Sequence, residues 1–156
     1  MEGETLTSFY PHKELKYKKM IAYYSEGVRI PPMYRRRVNQ WIRRIAAKYG
    51  KKVGDLNYMF VDDERILKAN KKFLKHNYYT DVITFDNSEG KVIQGDIMIS
   101  VDTVRSNAES LGITFDAELD RVIIHGVLHM CGLKDKTKAE KAQMREAEEH
   151  ALLLRL

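Results

Sequence analysis

Hydrophobic residues recur along the chain at two spacings, which separate predicted strands from predicted helices. A β-branched and aromatic run at 20–26 and an alternating run at 55–62 predict two strands. Between them, apolar residues at intervals of three and four predict a helix over 35–49 that Gly50 ends. A similar pattern predicts a second helix over 63–75. The first half of the chain therefore alternates strand and helix.

The second half begins with the clearest hairpin signal, two β-branched runs within 80–102 joined by the polar stretch NSEGK. Helices are predicted over 103–111 and 116–131, and the second is apolar nearly all round, which indicates a central, buried helix. A last helix begins at Thr137, where Thr137 and Glu140 have the spacing of a capping box. These elements predict an α+β fold with a small mixed or mostly antiparallel sheet of about four strands, packed with about five helices.

The extent of the hydrophobic pattern along the chain also predicts the domain organisation. Residues 1–19 show no sustained period, and we expect a flexible N-terminal extension there. No repeat, low-complexity tract or long linker interrupts the rest, which predicts a single domain over 20–156.

Composition narrows the class of protein. Of 156 residues, 44% are hydrophobic and 31% charged, as in ordinary globular proteins, and no apolar run approaches the ~20 residues that span a bilayer. The N-terminus lacks the apolar core of a signal peptide, so we expect a cytoplasmic protein with no membrane partner. Cys131 is the single cysteine, which excludes an internal disulfide and fits a reducing compartment; we expect it to be a small buried hydrophobic residue.

Charge is distributed unevenly along the chain. Residues 1–76 contain 18 Lys and Arg against 8 Asp and Glu, whereas residues 77–156 contain 9 against 14. The basic half is a candidate surface for a polyanion, and the alternative is an uneven but merely solvated surface. Tyr78 and Tyr79 would either stack on an unpaired base or pack against the sheet. The candidate nucleic-acid contacts are Arg36, Arg37, Arg43, Arg44, Lys71, Lys72, Lys75 and His76.

The strongest chemical signal is a pair of histidines on the predicted central helix. His125 and His129 are one turn apart and project from the same face, the spacing that a metal ion needs from two ligands on one helix. Gly132 can reverse the chain so that Asp135 returns as a third ligand, leaving an open coordination position. The alternatives are core histidines and an aspartate that merely precedes a helix. Gly126 stands where metalloproteases have a catalytic glutamate, which argues against peptide cleavage.

These residues resemble the signature of the YbeY family of endoribonucleases and rRNA-maturation factors. The stretch HGVLHMCGLKD, followed by Glu140 and Met144, is similar to the family's H-G-x-L-H-L-x-G-Y-D-H with a downstream Glu and Met. YYTDVITFD is similar to its P-T-N-V-L-S-F stretch and GDIMIS to its G-D-I/L-x-I-C/S strand, and the resemblance covers roughly 20–150.

The resemblance implies which residues bind the metal. His125 and His129 match the first two family ligands, and Asp135 takes the place of a third histidine. It implies one divalent ion, with Zn²⁺ expected, and no organic cofactor; the carboxylate ligand also admits other divalent metals. The family's arginine, thought to act on the substrate phosphate, falls on Leu74, and Lys72, Lys75 or His76 would have to supply the cation instead.

The function that the resemblance implies is metal-dependent, single-strand-specific cleavage of RNA. It would serve 16S rRNA maturation and ribosome quality control, with rRNA and small-subunit components as partners. Two alternatives stay open: a metal-dependent hydrolase of another substrate, such as a peptidase, and a ribosome-assembly factor whose metal is mainly structural. Two histidines and a carboxylate also occur in iron oxygenases, but nothing in the sequence suggests a cosubstrate pocket.

Overall fold

The computed structural model describes residues 20–75 and 80–155. The proposed extension at residues 1–19 lies outside the described residues. The strands are β1 (Ile21–Glu26), β2 (Lys52–Val61), β3 (Val82–Asp86) and β4 (Val92–Ser100). The helices are α1 (Arg35–Lys48), α2 (Asp63–Ala69), α3 (Val101–Leu111), α4 (Phe115–Met130) and α5 (Lys138–Leu153). No described helix is both long and apolar enough to cross a membrane.

The four strands form one mixed sheet in the order β1-β2-β4-β3. β1 pairs with β2 and β2 with β4 in parallel, while β3 and β4 form the antiparallel hairpin that the sequence predicts. Parallel neighbours need a crossover, which α1 supplies between β1 and β2. The predicted α+β class, with a mixed sheet and five helices among the described residues, is confirmed.

Helices cover both faces of the sheet. α2 packs on one face, where Ile66 and Ala69 meet Met59, Val61 and Met98. The larger core lies on the other face, beneath α1, α4 and α5. Two buried hydrogen bonds hold this side together. The Tyr58 hydroxyl of β2 donates to the Ile123 carbonyl of α4 at 3.0 Å, and the Trp41 indole of α1 donates to the Ala151 carbonyl of α5 at 2.8 Å. α4 is thus central, as its all-round apolar sequence predicts.

The predicted helix over 63–75 changes character in its last turn. α2 ends at Ala69 and continues as a single π-helical turn, Asn70–Leu74, after which Lys75 adopts a left-handed conformation with φ of 55°. A π turn adds one residue per hydrogen-bonded ring, so the 3.6-residue periodicity cannot distinguish it over five residues. This turn brings Leu74 to the cleft described below.

Gly126 lies where α4 packs closely on the sheet. A Cβ atom at this position would lie 2.6 Å from Cδ1 of Ile97 on β4, and both residues are buried. The position therefore faces the sheet, and a larger side chain would fit there only if the Ile97 side chain moved.

We predict that Gly126→Ala lowers the free energy of unfolding by about 1–2 kcal/mol, although alanine favours helix. The overpacking cost of about 1–3 kcal/mol exceeds the gain in helix propensity of up to about 1 kcal/mol. Urea denaturation of the wild type, both single variants and Gly126→Ala/Ile97→Val measures the effect. Ile97→Val removes the Cδ1 atom that clashes, so the double variant should be more stable than the sum of the two single effects. Strict additivity would contradict the contact.

Candidate metal centre

Three side chains with metal-ligand atoms converge at the end of α4. The Asp135 Oδ2 atom lies 3.3 Å from His125 Nε2 and 3.2 Å from His129 Nε2. One ligand atom from each residue falls within 4.8 Å of the others, so this group could hold a metal ion. The side chains of His125, His129 and Asp135 are 13%, 29% and 36% exposed, which leaves one side open to substrate.

Asp135 reaches the histidines because the chain reverses at Gly132. α4 ends at Met130, Gly132 takes a φ of 109°, and the Leu133 amide donates back to the Leu128 carbonyl at 3.1 Å. This positive φ suits glycine, and the 6→1 hydrogen bond is the one found in Schellman C-caps. The capping box of Thr137 and Glu140 then starts α5 and fixes the far end of the loop, as the sequence predicts.

The distances from the Asp135 carboxylate to the two histidines fit a tetrahedral ion. Ligands held at roughly 2.1 Å from a tetrahedral ion are separated from each other by roughly 3.4 Å. The two separations from Asp135 Oδ2, 3.3 and 3.2 Å, agree with this spacing. Two imidazole nitrogens and one carboxylate oxygen are also a ligand set that leaves a fourth position open, as in catalytic rather than structural sites.

Glu148 of α5 orients His125 through the ring nitrogen that does not face Asp135. Its Oε2 atom lies 2.8 Å from His125 Nδ1, and its side chain is only 7% exposed. Burial favours the neutral carboxyl, but the hydrogen bond from His125 and the charge of Arg121 outweigh burial and lower the pKa of Glu148. An ionised carboxylate only accepts, so Nδ1 donates the hydrogen, and in the neutral ring Nε2 keeps its lone pair for the metal.

Arg121 links this arrangement to the sheet edge. Its guanidinium pairs with Glu118 one turn earlier on α4, with Glu148 Oε1 at 3.2 Å and with Asp81 Oδ2 at 3.4 Å. Burial lowers the pKa of Arg121, but the hydrogen bond to Glu118 and the charges of Glu148, Glu118 and Asp81 outweigh burial, and the net shift is upward. The arginine is therefore charged and connects α4, α5 and the start of β3.

The ligands open into a cleft of about 550 Å³ between β3, the end of the π turn and the α4–α5 loop. Leu74, half-exposed, lines the cleft at the position where the resemblance places an arginine. The other lining residues are Thr80, Asp81, Val82, Ile83, Thr84, Asp86, Arg121, His125, His129, Asp135 and Lys136.

The basic residues of α1 are exposed, and none of them lines this cleft. Arg35 stacks on Tyr23 of β1 at 5.4 Å, which places the helix near the β1 edge, whereas the cleft is at β3. Three strand spacings of ~4.8 Å separate these edges by roughly 14 Å. Four arginines of α1 are exposed and form no salt bridge with a described carboxylate, as is also true of Arg35: Arg36, Arg37, Arg43 and Arg44.

The lysines named from the sequence also lie outside the cleft lining. The π turn contains Lys71 and Lys72 and is followed by Lys75. The Lys72 ammonium lies over the Phe73 ring at 5.4 Å. His76, Tyr78 and Tyr79 fall outside the described residues.

Sequence reasoning missed four members of the site: Glu118, Arg121, Lys136 and Glu148. A signal existed for Arg121, because it precedes His125 by four residues and His129 by eight and therefore shares their helix face. Glu148 also left a signal, since it follows Met144 at four residues and precedes Ala151 at three, on the buried stripe of α5. A carboxylate at a core position requires a partner.

Cys131 is partly buried against the core. Burial raises the pKa of its thiol to about 11, so at neutral pH it carries the proton that a metal would have to displace. It is not part of the ligand group.

We predict that Glu148→Gln weakens binding of a divalent ion roughly ten- to hundredfold, because the glutamine can no longer accept as a carboxylate from His125. Zn²⁺ titration against a competing chelator measures the affinity. Glu149→Gln, the exposed neighbour on α5, serves as the control and should bind as the wild type does. Equal affinity of the two variants would show that Glu148 does not act on the site.

Known proteins match this chain over most of its length. The family model described as Endoribonuclease YbeY matches residues 20–154. An Endoribonuclease YbeY from Porphyromonas gingivalis is 57% identical over 134 residues, which cover 86% of this chain and 89% of the relative. The Endoribonuclease YbeY of Bacteroides thetaiotaomicron is 49% identical over 135 residues, covering 86% of this chain and 98% of the relative.

The fold has a counterpart among solved structures. A Thermotoga maritima protein solved in solution superposes with a TM-score of 0.57 at 25% identity, over 85% of this chain and 89% of its own. The family model covers nearly all of the described residues, and the relatives are matched over most of their own length. The chain therefore belongs to the YbeY endoribonuclease family.

Proposed function

We propose that this protein is a metal-dependent endoribonuclease that cleaves single-stranded RNA, acting with small-subunit components in 16S rRNA maturation and ribosome quality control in the cytoplasm. The observation that supports this most directly is the three-ligand group of His125, His129 and Asp135 at the mouth of an open cleft. Membership of the YbeY family supplies the reaction class.

The ligand set favours Zn²⁺ as the ion. Two imidazoles and one carboxylate at tetrahedral separations suit zinc, while the hard carboxylate oxygen also suits manganese or magnesium. When bound, a divalent ion supplies Lewis acidity toward a phosphate oxygen and toward water.

The protein's own residues prepare the site for that chemistry. Glu148 holds the His125 ring with its Nε2 lone pair toward the ligand group, and Arg121 holds Glu148 in turn. Leu74, Val82 and Ile83 line the cleft with apolar surface, which limits the water around a bound phosphate.

The position of Gly126 disfavours the peptidase alternative. In metalloproteases the residue after the first histidine is a glutamate that serves as general base. Here that position faces Ile97 of the sheet, where even a Cβ atom would approach to 2.6 Å. A glutamate introduced at residue 126 would have neither the space nor the direction to act on a substrate in the cleft.

The assembly-factor alternative keeps one observation in its favour. Leu74 occupies the place of the family's arginine and lines the cleft without a charge. If the metal were structural, removing one ligand would unfold the protein. The partial exposure of His129 and Asp135 favours a catalytic site instead, because structural sites are usually closed.

The arginines of α1 would position a longer RNA. Phosphate contacts dominate affinity for nucleic acids, and Arg36, Arg37, Arg43 and Arg44 present an exposed positive face outside the cleft. RNA that reaches both this face and the cleft must span roughly the width of the sheet.

We predict that His129→Ala and Asp135→Ala lose the bound ion and lose RNA cleavage in step, while the fold is largely kept. Metal content, cleavage of a single-stranded rRNA fragment and circular dichroism are measured on the same samples. His150→Ala is the control, because this exposed histidine contacts Lys48 rather than the site. Unfolding of Asp135→Ala would support the structural-metal alternative, and metal retained in that variant would indicate a different third ligand.

We also predict that Arg43→Glu/Arg44→Glu weakens binding of RNA in a length-dependent way. A strand of about sixteen nucleotides should lose affinity at least tenfold and show a shallower salt dependence, because it reaches both surfaces. A strand of about four nucleotides that fits the cleft should bind as it does to the wild type. Fluorescence anisotropy at several salt concentrations measures both, and equal loss at both lengths would contradict a separate positioning surface.

A further inference from the structure

We propose that Lys136 binds the substrate phosphate beside the metal, supplying the positive charge that Leu74 does not. This inference rests on the proposed RNA-cleaving function. Lys136 directly follows the ligand Asp135 and lines the same cleft as the two histidines. A phosphate held by the ligand group would therefore lie within the reach of a lysine side chain.

The second cation of the cleft is already engaged. Arg121 has an acidic partner at each of its three guanidinium nitrogens: Glu118 at Nε, Glu148 at Nη1 and Asp81 at Nη2. Three carboxylates surround one positive charge, so this cluster adds no positive potential to the cleft. A phosphate could reach Arg121 only by displacing partners that also hold His125 in place.

Lys136 is in the opposite situation. Its side chain is exposed, and in the part of the chain that the structure describes it forms no ion pair with a carboxylate. Lysine is a compact, mobile charge on a flexible stem, suited to follow a phosphate whose charge changes during reaction. Among the described cations of the cleft, only Lys136 is available without breaking an existing pair.

The charge balance of the cleft gives this lysine a measurable effect. The lining includes three carboxylates, Asp81, Asp86 and Asp135, against Arg121 and Lys136. Removing Lys136 makes the metal-loaded cleft more negative by one unit of charge. Since the substrate phosphate carries one negative charge, this loss weakens its attraction to the cleft.

The chain offers a closely matched control. Lys134 lies two residues earlier in the same loop and is equally exposed, but it does not line the cleft. Its charge acts instead on Glu140 of the capping box, where it helps to lower the pKa of that carboxyl after the hydrogen bonds from Thr137. Comparing Lys136→Met with Lys134→Met therefore separates a cleft contact from general loop charge.

The experiment measures cleavage of a short single-stranded RNA, its binding and the metal content for the wild type, Lys136→Met, Lys136→Arg and Lys134→Met. Binding is measured by anisotropy with a 2′-O-methylated strand that resists cleavage, on metal-loaded protein. We expect Lys136→Met to lose kcat/KM and affinity roughly ten- to hundredfold, the range of one hydrogen bond to a charged group. Its salt slope should fall by about 0.7, one phosphate contact on a single strand.

The controls decide the outcome. Lys136→Arg should restore most of the loss, Lys134→Met should match the wild type, and all variants should retain the metal. Equal effects of the two methionine variants, or metal lost only in Lys136→Met, would overturn the proposal. If the wild type cleaves no RNA, the proposed function fails. The binding comparison would then still support a phosphate contact by Lys136 if only Lys136→Met binds weakly. It would refute that contact if both methionine variants bind as the wild type does.

Discussion

The contact between α4 and the sheet at Gly126 and Ile97 fixes the position of the helix that carries both histidines. With no side chain at residue 126, the helix packs so closely on β4 that a Cβ atom there would meet Ile97 at 2.6 Å. The Tyr58 hydroxyl adds a hydrogen bond from β2 to the Ile123 carbonyl of the same helix. Because residue 126 faces the sheet, its neighbour His125 lies about 100° around the helix and points to α5 and the cleft at the β3 edge. The same contact thus orients the ligand face and leaves no room for a base beside it.

The site combines a rigid part with a part that remains open. α4, the Gly132 turn and the capping box of α5 hold the three ligands, while buried carboxylates behind them hold His125 and Arg121. Buried charges are tolerated only when they are paired, and the cluster of Arg121 with Glu118, Glu148 and Asp81 satisfies that requirement across α4, α5 and the sheet edge. The side toward the cleft is open, and there the chain presents Leu74 and Lys136, which forms no salt bridge within residues 20–75 and 80–155.

The two cations of the cleft differ in role: one holds the residues behind the candidate ligands in place, and the other is proposed to bind the substrate phosphate. One cation, Arg121, contributes to the structure of the ligand shell and is shielded by its carboxylates. The other, Lys136, is free to meet the substrate. The basic face of α1 lies outside the cleft, near the β1 edge of the sheet, so in our proposal the recognition of long RNA and the chemistry at the metal use different surfaces of the molecule.

Local patterns were sufficient to predict the elements and to bring His125, His129 and Asp135 together as candidate ligands. The spacing of His125 and His129 on one helix face, the turn-forming Gly132, the capping box at Thr137 and the hairpin of β3 and β4 are each encoded within a few residues. Strand order, the parallel pairing of β1, β2 and β4, and the π turn at Asn70–Leu74 were not, because they depend on contacts distant in sequence or on small differences in helical geometry.

The residues around the candidate ligands could not be predicted from local sequence patterns either. Glu148 stands 23 residues after His125, and Asp81 stands 40 residues before Arg121, so neither pairing has a local signature. In the sequence, Gly126 indicated only that the catalytic glutamate of metalloproteases is missing. The packing of α4 on Ile97 gives the physical reason why a glycine stands there. The sequence by itself determined which atoms can bind the metal, since ligand chemistry and helical spacing are local. Tertiary structure alone decided that Arg121 pairs with carboxylates whereas Lys136 forms no such pair among the described residues, since ion pairs depend on where folded elements bring charges together.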